Sequence, residues 1–335
     1  MKDGTMVPWV ECPSIDIDLD RPVGERYADV PDEVFEKGRC LLRAIMQAMP
    51  PAARYLGDAV RLRTRNRFHA EARALAQHVG GDWRSVMVAN VSYDLALSLF
   101  GCSTVALPTP DGPVLARNMD WFPERILART SYLIRLFRDE RFCFANAGWP
   151  GSIGAVTGLS GRGFAVALNA VISPEGTNKA GYPVLLHLRR VLEDADGFDS
   201  ALRMLSQQRL VAPGLFTLVG SENDQRVVIE RTPRRHAHRW AKDGRPLVTT
   251  NDYRLLFKPR TRSAGEIDET TCSRYDALRG LFADHRADRP ADDITLLHAL
   301  SDPAVIQDIT AQHVILRPRS GRIRLYVPRR VVESA

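Results

Sequence analysis

Residues 98–121, SLFGCSTVALPTPDGPVLARNMDW, gather a cysteine, an arginine and an aspartate into one local unit. Pro110, Asp111 and Gly112 are turn residues: a fixed φ, a side chain that bonds its own backbone, and tolerance of positive φ. Short apolar runs flank them, so the stretch reads as a β-hairpin turning between Pro108 and Gly112. Folding about that turn sets Cys102 opposite position 118 or so. Directly opposed side chains lie roughly 5 Å apart and diagonal neighbours roughly 7 Å. Arg117 and Asp120 are thus brought close to Cys102 by the turn alone.

A free thiol titrates near ~8.5, and a neighbouring guanidinium favours the thiolate. Arg117 suits that task. A carboxylate acts in the opposite sense, so Asp120 calls for a second cation. Cleavage of the Gly101–Cys102 bond would make one, the α-amino group of Cys102. An α-amine titrates near ~7.7–8 and can accept and return a proton near neutral pH. Nucleophiles activated by an N-terminal amine are an established arrangement. Gly101 fits as well, because a scissile peptide in strained geometry profits from a residue without a Cβ. Taken alone, the hairpin favours a blander outcome: a small buried cysteine and an ion pair at a strand end.

The elements that must carry these residues change character near position 101. Upstream the periodicity predicts helices over 31–49, 69–79 and 82–100, the last capped by Asp82. Downstream, short strands alternate with turns, as in STVAL, PVLAR, SYLIRLF (131–137), RFCFANA (141–147), SIGAVTG (152–158) and GFAVALN (163–169). Helices follow near 182–193 and 197–207, then strands at 215–221, 226–231 and 246–251. Helices near 273–284 and 292–300 and a hairpin over 313–327 close the chain. Runs of antiparallel strands between helix pairs predict an α+β fold of stacked antiparallel sheets covered by helices.

Composition narrows the class. The chain has 335 residues, 44% hydrophobic and 26% charged, the balance of a soluble globular protein. No apolar run reaches the length of a membrane span, and MKDGTMVPWVECPSIDIDLD has no signal-peptide pattern, which predicts a cytoplasmic protein without stable membrane insertion. Five cysteines, widely spaced and without a CxxC, argue against a disulfide framework or structural zinc. The net charge of +6 comes mostly from arginine. Its densest run, RTPRRHAHRW (231–240), reads as a solvated sheet edge, and no nucleic-acid partner is expected. His236 and His238 alternate along that strand but lack a third ligand, so they read as ordinary polar residues. Asn90-Val-Ser is a glycosylation sequon by pattern only, and Cys272 reads as buried filler.

GCSTVALPTPDGPVLARNMDW resembles the stretch after the processed cysteine in the acid ceramidase and N-acylethanolamine acid amidase family. That pattern runs Cys-Thr-Ser-Ile-Val-Ala, a polar turn, then Gly-Arg-Asn-(Met/Leu)-Asp. Cys102, Ala106, Arg117, Asn118, Met119 and Asp120 fall on it, and Ser103 and Thr104 invert its Thr-Ser pair. Residues 13–27, 90–100, 148–170 and 247–254 are similar to further segments of the same family. The resemblance implies the N-terminal-nucleophile (Ntn) hydrolase αββα sandwich, with a helical propeptide-like segment 1–101 and a catalytic segment 102–335.

By the same resemblance Cys102 is a self-maturing nucleophile, Asp120 holds its freed α-amine, and Arg117 orients the thiol and Asp120. Asn251 would donate its side-chain NH₂ to the tetrahedral oxyanion. Arg274 is the expected second arginine, with Arg260 and Arg262 as alternatives. Leu168-Asn169-Ala170 departs from the family's Leu-Asn-Glu and leaves Asn169 as an oxyanion partner. Trp121 and Trp149 are candidate walls of an acyl or amine pocket. The implied activity is hydrolysis of a small-molecule N-acyl amide through a Cys102 thioester, without metal or organic cofactor. Transfer of the same thioester to an amine and a non-catalytic binding scaffold are the alternatives.

Overall fold

The computed structural model describes residues 8–95, 100–242, 244–258 and 266–333. Two sheets stack face to face. One runs β1(Trp9–Glu11), β14(Arg322–Pro328), β13(Thr310–Arg317), β4(Val114–Trp121), β3(Phe100–Leu107), β12(Leu247–Thr249). The other runs β11(His236–Trp240), β10(Arg226–Arg231), β9(Gly214–Val219), β8(Phe164–Asn169), β7(Thr157–Ser160), β6(Arg141–Gly148), β5(Tyr132–Arg138), β2(Ser14–Asp18). Small side chains meet between them, among them Ala106, Ala145, Ala147, Ala165 and Ala167, so the layers approach closely. Helices α9(Glu266–Leu281) and α10(Asp293–Leu300) cover the first sheet, and α7(Val184–Asp194) and α8(Phe198–Gln207) the second. The expected αββα sandwich is present. Its pairings are antiparallel except one: β2 runs parallel to β5.

The N-terminal helices α1(Asp32–Gln47), α2(Leu56–Arg63), α3(His69–Val79), α4(Trp83–Ala89) and α5(Ser92–Leu95) form a layer at one end. Val34, Phe35, Leu41, Leu75, Val79, Val86 and Val91 pack there into one cluster with Trp121, Tyr132, Phe144 and Trp149. The segment before residue 101 also supplies β1 to one sheet and β2 to the other, so it is woven into the sandwich at both edges. No helix among the described residues is long and apolar enough to cross a membrane.

The helix expected over 82–100 is interrupted. Asp82 caps α4 by accepting from Ser85 N at 2.8 Å, but the helix stops at Ala89. Asn90 bonds the carbonyl of Val86 with its own side chain, a local competitor to helix propagation. Residues 96–99 of that prediction lie outside the described residues. Strand β11 is the edge of its sheet, matching the solvated edge read from RTPRRHAHRW. There His236 and His238 stack at 5.1 Å, and His238 Nε2 lies 2.7 Å from Ser206 Oγ.

Two core histidines set how the fold answers to acid. His187 on α7 donates from Nε2 to Met204 O at 3.0 Å, and His313 on β13 has Nδ1 2.7 Å from Asn118 Oδ1. Burial pushes each imidazole down to about 3. An unfolded imidazole titrates near ~6.5, so below that pH the unfolded chain binds protons that the folded chain refuses. Their contribution is fully present above pH ~6.5 and is lost as pH falls toward about 3. At pH 5 each costs on the order of 2 kcal/mol. The buried Asp94 carboxyl, pushed up to about 8, acts in the opposite sense over this range, so the histidine share is read by difference. Between pH 7 and pH 5 the urea midpoint of His187→Gln should rise relative to that of the wild type, and an unchanged difference would count against His187.

Candidate active site

The hairpin forms as expected, with its register one residue from the sequence expectation. Phe100, Gly101, Cys102, Ser103 and Thr104 pair with Trp121, Asp120, Met119, Asn118 and Arg117. Thr109 and Gly112 close the turn, Gly112 at φ +88°. Side chains alternate along a strand with a period of two. Cys102 therefore points between the sheets, together with Thr104, Met119 and Arg117. Ser103, Asn118 and Asp120 point to the opposite face, under α9 and α10. Gly101 lies in the extended strand, so its backbone carries no left-handed strain.

On the inner face Arg117 Nη2 donates to Cys102 Sγ at 2.7 Å. The guanidinium is held from the facing sheet: Nη1 donates to Thr157 Oγ1 and, at 3.4 Å, to Val156 O. The thiol in turn donates to Leu168 O at 3.8 Å. Burial pushes the Cys102 thiol up, and Arg117 pulls against that.

Asp120 is wholly buried on the outer face. Its Oδ1 accepts from Thr310 Oγ1 at 2.6 Å, while Oδ2 accepts no hydrogen bond among the described residues. Arg274 Nη1 stands 4.0 Å from that oxygen. Burial raises the carboxyl and lowers the guanidinium, and the charge of each partner opposes the shift of the other. Arg274 reaches in from α9: Nη1 donates to Cys102 O and Ser103 Oγ, both at 2.8 Å, and Nη2 to Asn251 Oδ1 at 2.9 Å. Among the described residues it is the second arginine, after Arg117, that reaches Cys102. Arg260 and Arg262 lie outside the described residues.

Asn251 arrives by register. Thr249 on β12 pairs with Thr104, and two further residues bring position 251 opposite Cys102. Its Oδ1 accepts the Cys102 N–H at 3.1 Å, and its Nδ2 donates to Ala170 O at 2.8 Å. The amide therefore meets Cys102 through its oxygen, where the family resemblance had implied an NH₂ aimed at an oxyanion. Asn169 is engaged as well: Oδ1 accepts from Thr104 Oγ1 at 2.8 Å and Nδ2 donates to Thr249 O and Thr250 O, both at 3.1 Å. That side chain clamps β3 and β12 to β8.

Two pockets flank this cluster. Trp121 and Trp149 meet edge-on, ring centroids 5.5 Å apart, in the wall of a partly open pocket. Leu41, Leu42 and Ile45 of α1 and Val86 of α4 line its other side, so both segments build it. A second pocket is walled by Asn251, Thr271, Tyr253, Phe257, Asp252 and Lys258. Thr157, Thr310, Ser103 and Thr271 all support site residues and were missed from sequence. A lone Ser or Thr in a strand or helix carries no signal that marks such a role.

Comparison with known proteins follows the same outline. A family model described as acyl-coenzyme A:6-aminopenicillanic acid acyl-transferase matches residues 107–303, more than half of the chain. The match takes in Arg117, Asp120, Asn169, Asn251 and Arg274 and begins just after Cys102. An N-acylethanolamine-hydrolyzing acid amidase of Caenorhabditis elegans is 21% identical over 90% of this chain and 88% of its own. An acid ceramidase of Balaenoptera acutorostrata scammoni is 25% identical over 39% of each chain, so the chain spans well under half of that relative. The solved structure of the Caenorhabditis elegans amidase superposes with a TM-score of 0.53 at 20% identity, covering 65% of this chain and 93% of that one, which is a likeness of fold.

Proposed function

The chain belongs to the acyl-coenzyme A:6-aminopenicillanic acid acyl-transferase family of Ntn enzymes, and from that premise we propose a self-processing cysteine amidase acting on a linear N-acyl amide. The observation that carries the proposal is the pairing across one strand: a guanidinium 2.7 Å from Cys102 Sγ on one face, and on the other a buried carboxylate oxygen that accepts no hydrogen bond among the described residues. The first favours a thiolate. The second is a ready seat for an ammonium group beside residue 102.

In maturation the Cys102 thiol gives up its proton and Sγ attacks the Gly101 carbonyl carbon; that proton ends on the peptide nitrogen, which leaves as the α-amine of Cys102. Water then hydrolyses the thioester, dividing the chain into 1–101 and 102–335. Asn251 Oδ1 and Asp120 Oδ2 receive the new amine from two sides. In turnover the α-amine takes the thiol proton, and Sγ adds to the substrate carbonyl. The proton passes to the leaving nitrogen, an acyl thioester remains, and water releases the acid. Arg274 fixes Cys102 by its carbonyl and Asn251 by its oxygen. Asn251 Nδ2 spends one hydrogen on Ala170 O and keeps a second that can serve an oxyanion.

The apolar cavity under Trp121 and Trp149 suits the acyl chain, and the mixed cavity beside Asn251 suits the amine. Ala89, on α4, borders the first. Ala89→Phe should shift the preferred acyl chain to a shorter one, with kcat/KM for the longest good substrate falling about tenfold or more. The measurement is acid release across a series of N-acyl amides of increasing chain length. The family's own description favours a second reading, in which an amine takes the acyl group in place of water. The two share every catalytic residue and differ in how water is excluded. Adding a panel of amines to the same assay separates them: new amide at the expense of acid marks a transferase. A processed protein that releases neither acid nor new amide from any member overturns both.

A further inference from the structure

We propose that Asn90, in the N-terminal segment, is a positioning residue for Arg117 and acts through the loop 149–156; this rests on the part given to Arg117 above. Asn90 is 5% exposed at the end of α4, yet its side chain is fully used. Oδ1 accepts two successive loop amides, Ile153 N at 2.6 Å and Gly154 N at 2.8 Å, and Nδ2 donates to Val86 O at 2.8 Å. Two residues on, Val156 O accepts from Arg117 Nη1 and also from Leu168 N at 3.0 Å, and the next residue, Thr157, takes the same nitrogen through its hydroxyl. A chain of four links thus joins the helical layer to the thiol: Asn90, the 153–154 amides, Val156–Thr157, Arg117.

The rest of the loop is held from the same side. Gly38 of α1 lies so close that a Cβ there would sit 2.7 Å from Pro150 O. At Gly151, φ is +89° and a Cβ would meet Val79 of α3 at 2.9 Å. Ile153 O accepts from Arg189 at 3.2 Å, and Arg189 pairs with Glu71 of α3 at 3.3 Å. Apolar packing can press a loop into place, but polar partners fix the direction of its peptides: Asn90 takes the 153 and 154 amides, Leu185 O takes Ala155 N at 3.0 Å, and Asn146 Nδ2 donates to Gly154 O at 3.0 Å. Direction matters because Val156 and Thr157 present their oxygens to Arg117 by the same run of backbone. Once the 101–102 bond opens, Asn90 belongs to a different chain from the arginine it steadies. The helical segment is then a working part of the catalyst.

The test compares Asn90→Ala, Asn90→Asp, Thr157→Val and Arg117→Gln, using an N-acyl 7-amino-4-methylcoumarin amide taken up by the wild type. The readouts are the pH dependence of kcat/KM and the melting temperature. Loosening Arg117 raises the thiol pKa, so the rising limb should move to higher pH. We expect about half a unit or more for Asn90→Ala, with kcat/KM at neutral pH down about tenfold. Thr157→Val, which frees Arg117 directly, should move the limb the same way. Asn90→Asp keeps an acceptor for both amides and should recover most of the wild-type limb. If Asn90→Ala is not recovered folded, Asn90→Ser carries the same comparison. An unmoved limb in Asn90→Ala beside a moved one in Thr157→Val overturns the proposal, even if the melting temperature falls. Arg117→Gln without effect overturns the part given to Arg117, and the latch with it.

Discussion

On a denaturing gel, purified wild-type protein should separate into two pieces that end at Gly101 and begin at Cys102, and Cys102→Ala should remain one chain. Intact-mass measurement fixes the bond. The expectation follows from the pairing of Cys102 Sγ with Arg117 at 2.7 Å in a site closed to solvent. Burial is the main influence that keeps the thiol protonated, and the Arg117 guanidinium is the strongest of those that favour ionisation, with Arg274 a weaker one. Alanine removes the attacking atom and little volume, so the fold should survive. Amide hydrolysis should fall by on the order of 10⁵-fold or more, as when a covalent nucleophile is deleted. A wild-type chain that stays whole at every pH and still hydrolyses amides would overturn the α-amine as proton carrier while leaving the fold untouched.

Asp120→Asn should give the second-largest loss, and for two separable reasons. Asparagine keeps the shape and can still accept from Thr310 through its oxygen. What disappears is the negative charge on the oxygen that stands 4.0 Å from Arg274 Nη1. A buried guanidinium deprived of its carboxylate typically costs about 3–5 kcal/mol of stability. The α-ammonium loses its counter-charge at the same time, so the amine pKa falls and its hold on the proton weakens. The expected outcome is slow or incomplete processing and a kcat lower by about 10²–10³-fold in whatever fraction is cut. Unfolding curves measure the first effect, and kcat of the processed fraction the second. Normal cleavage with kcat within about twofold of wild type would leave Asp120 a purely structural residue.

Much of the site could be read from residue types, because its core is local. Pro110, Asp111 and Gly112 fix a tight turn, and the turn carries Arg117 back to Cys102. Asp120 shows the limit of that reasoning. It lies three positions beyond Arg117, and the period of two puts them on opposite faces of β4. Proximity along the hairpin thus placed both beside the thiol, whereas Asp120 faces Gly101 across the strand pair. Arg274 and Asn251 were accessible only by resemblance, since nothing in CSRYDAL or LVTTNDYR states which distant strand it meets. The direction in which the Asn251 amide points depends on Ala170 O and Arg274, two partners far apart in the chain. Asn90 read as a sequon in a helix, and its true partners lie 63 and 64 residues away. The unbroken helix over 82–100 failed at the same residue, whose side chain also turns back to Val86 O and competes locally with helix propagation.

The placement of β1 and β2 bears on what becomes of the first fragment. Many self-cutting proteins shed a leader that has served its purpose. Here the severed piece would still form the outermost rung of each sheet, beside β14 on one and β5 on the other. Its departure would bare two rows of backbone donors and acceptors that invite aggregation. If the 101–102 bond is cut as proposed, the fragment should therefore stay as a lasting partner in a two-chain molecule, parted in covalent structure and held in the folded state.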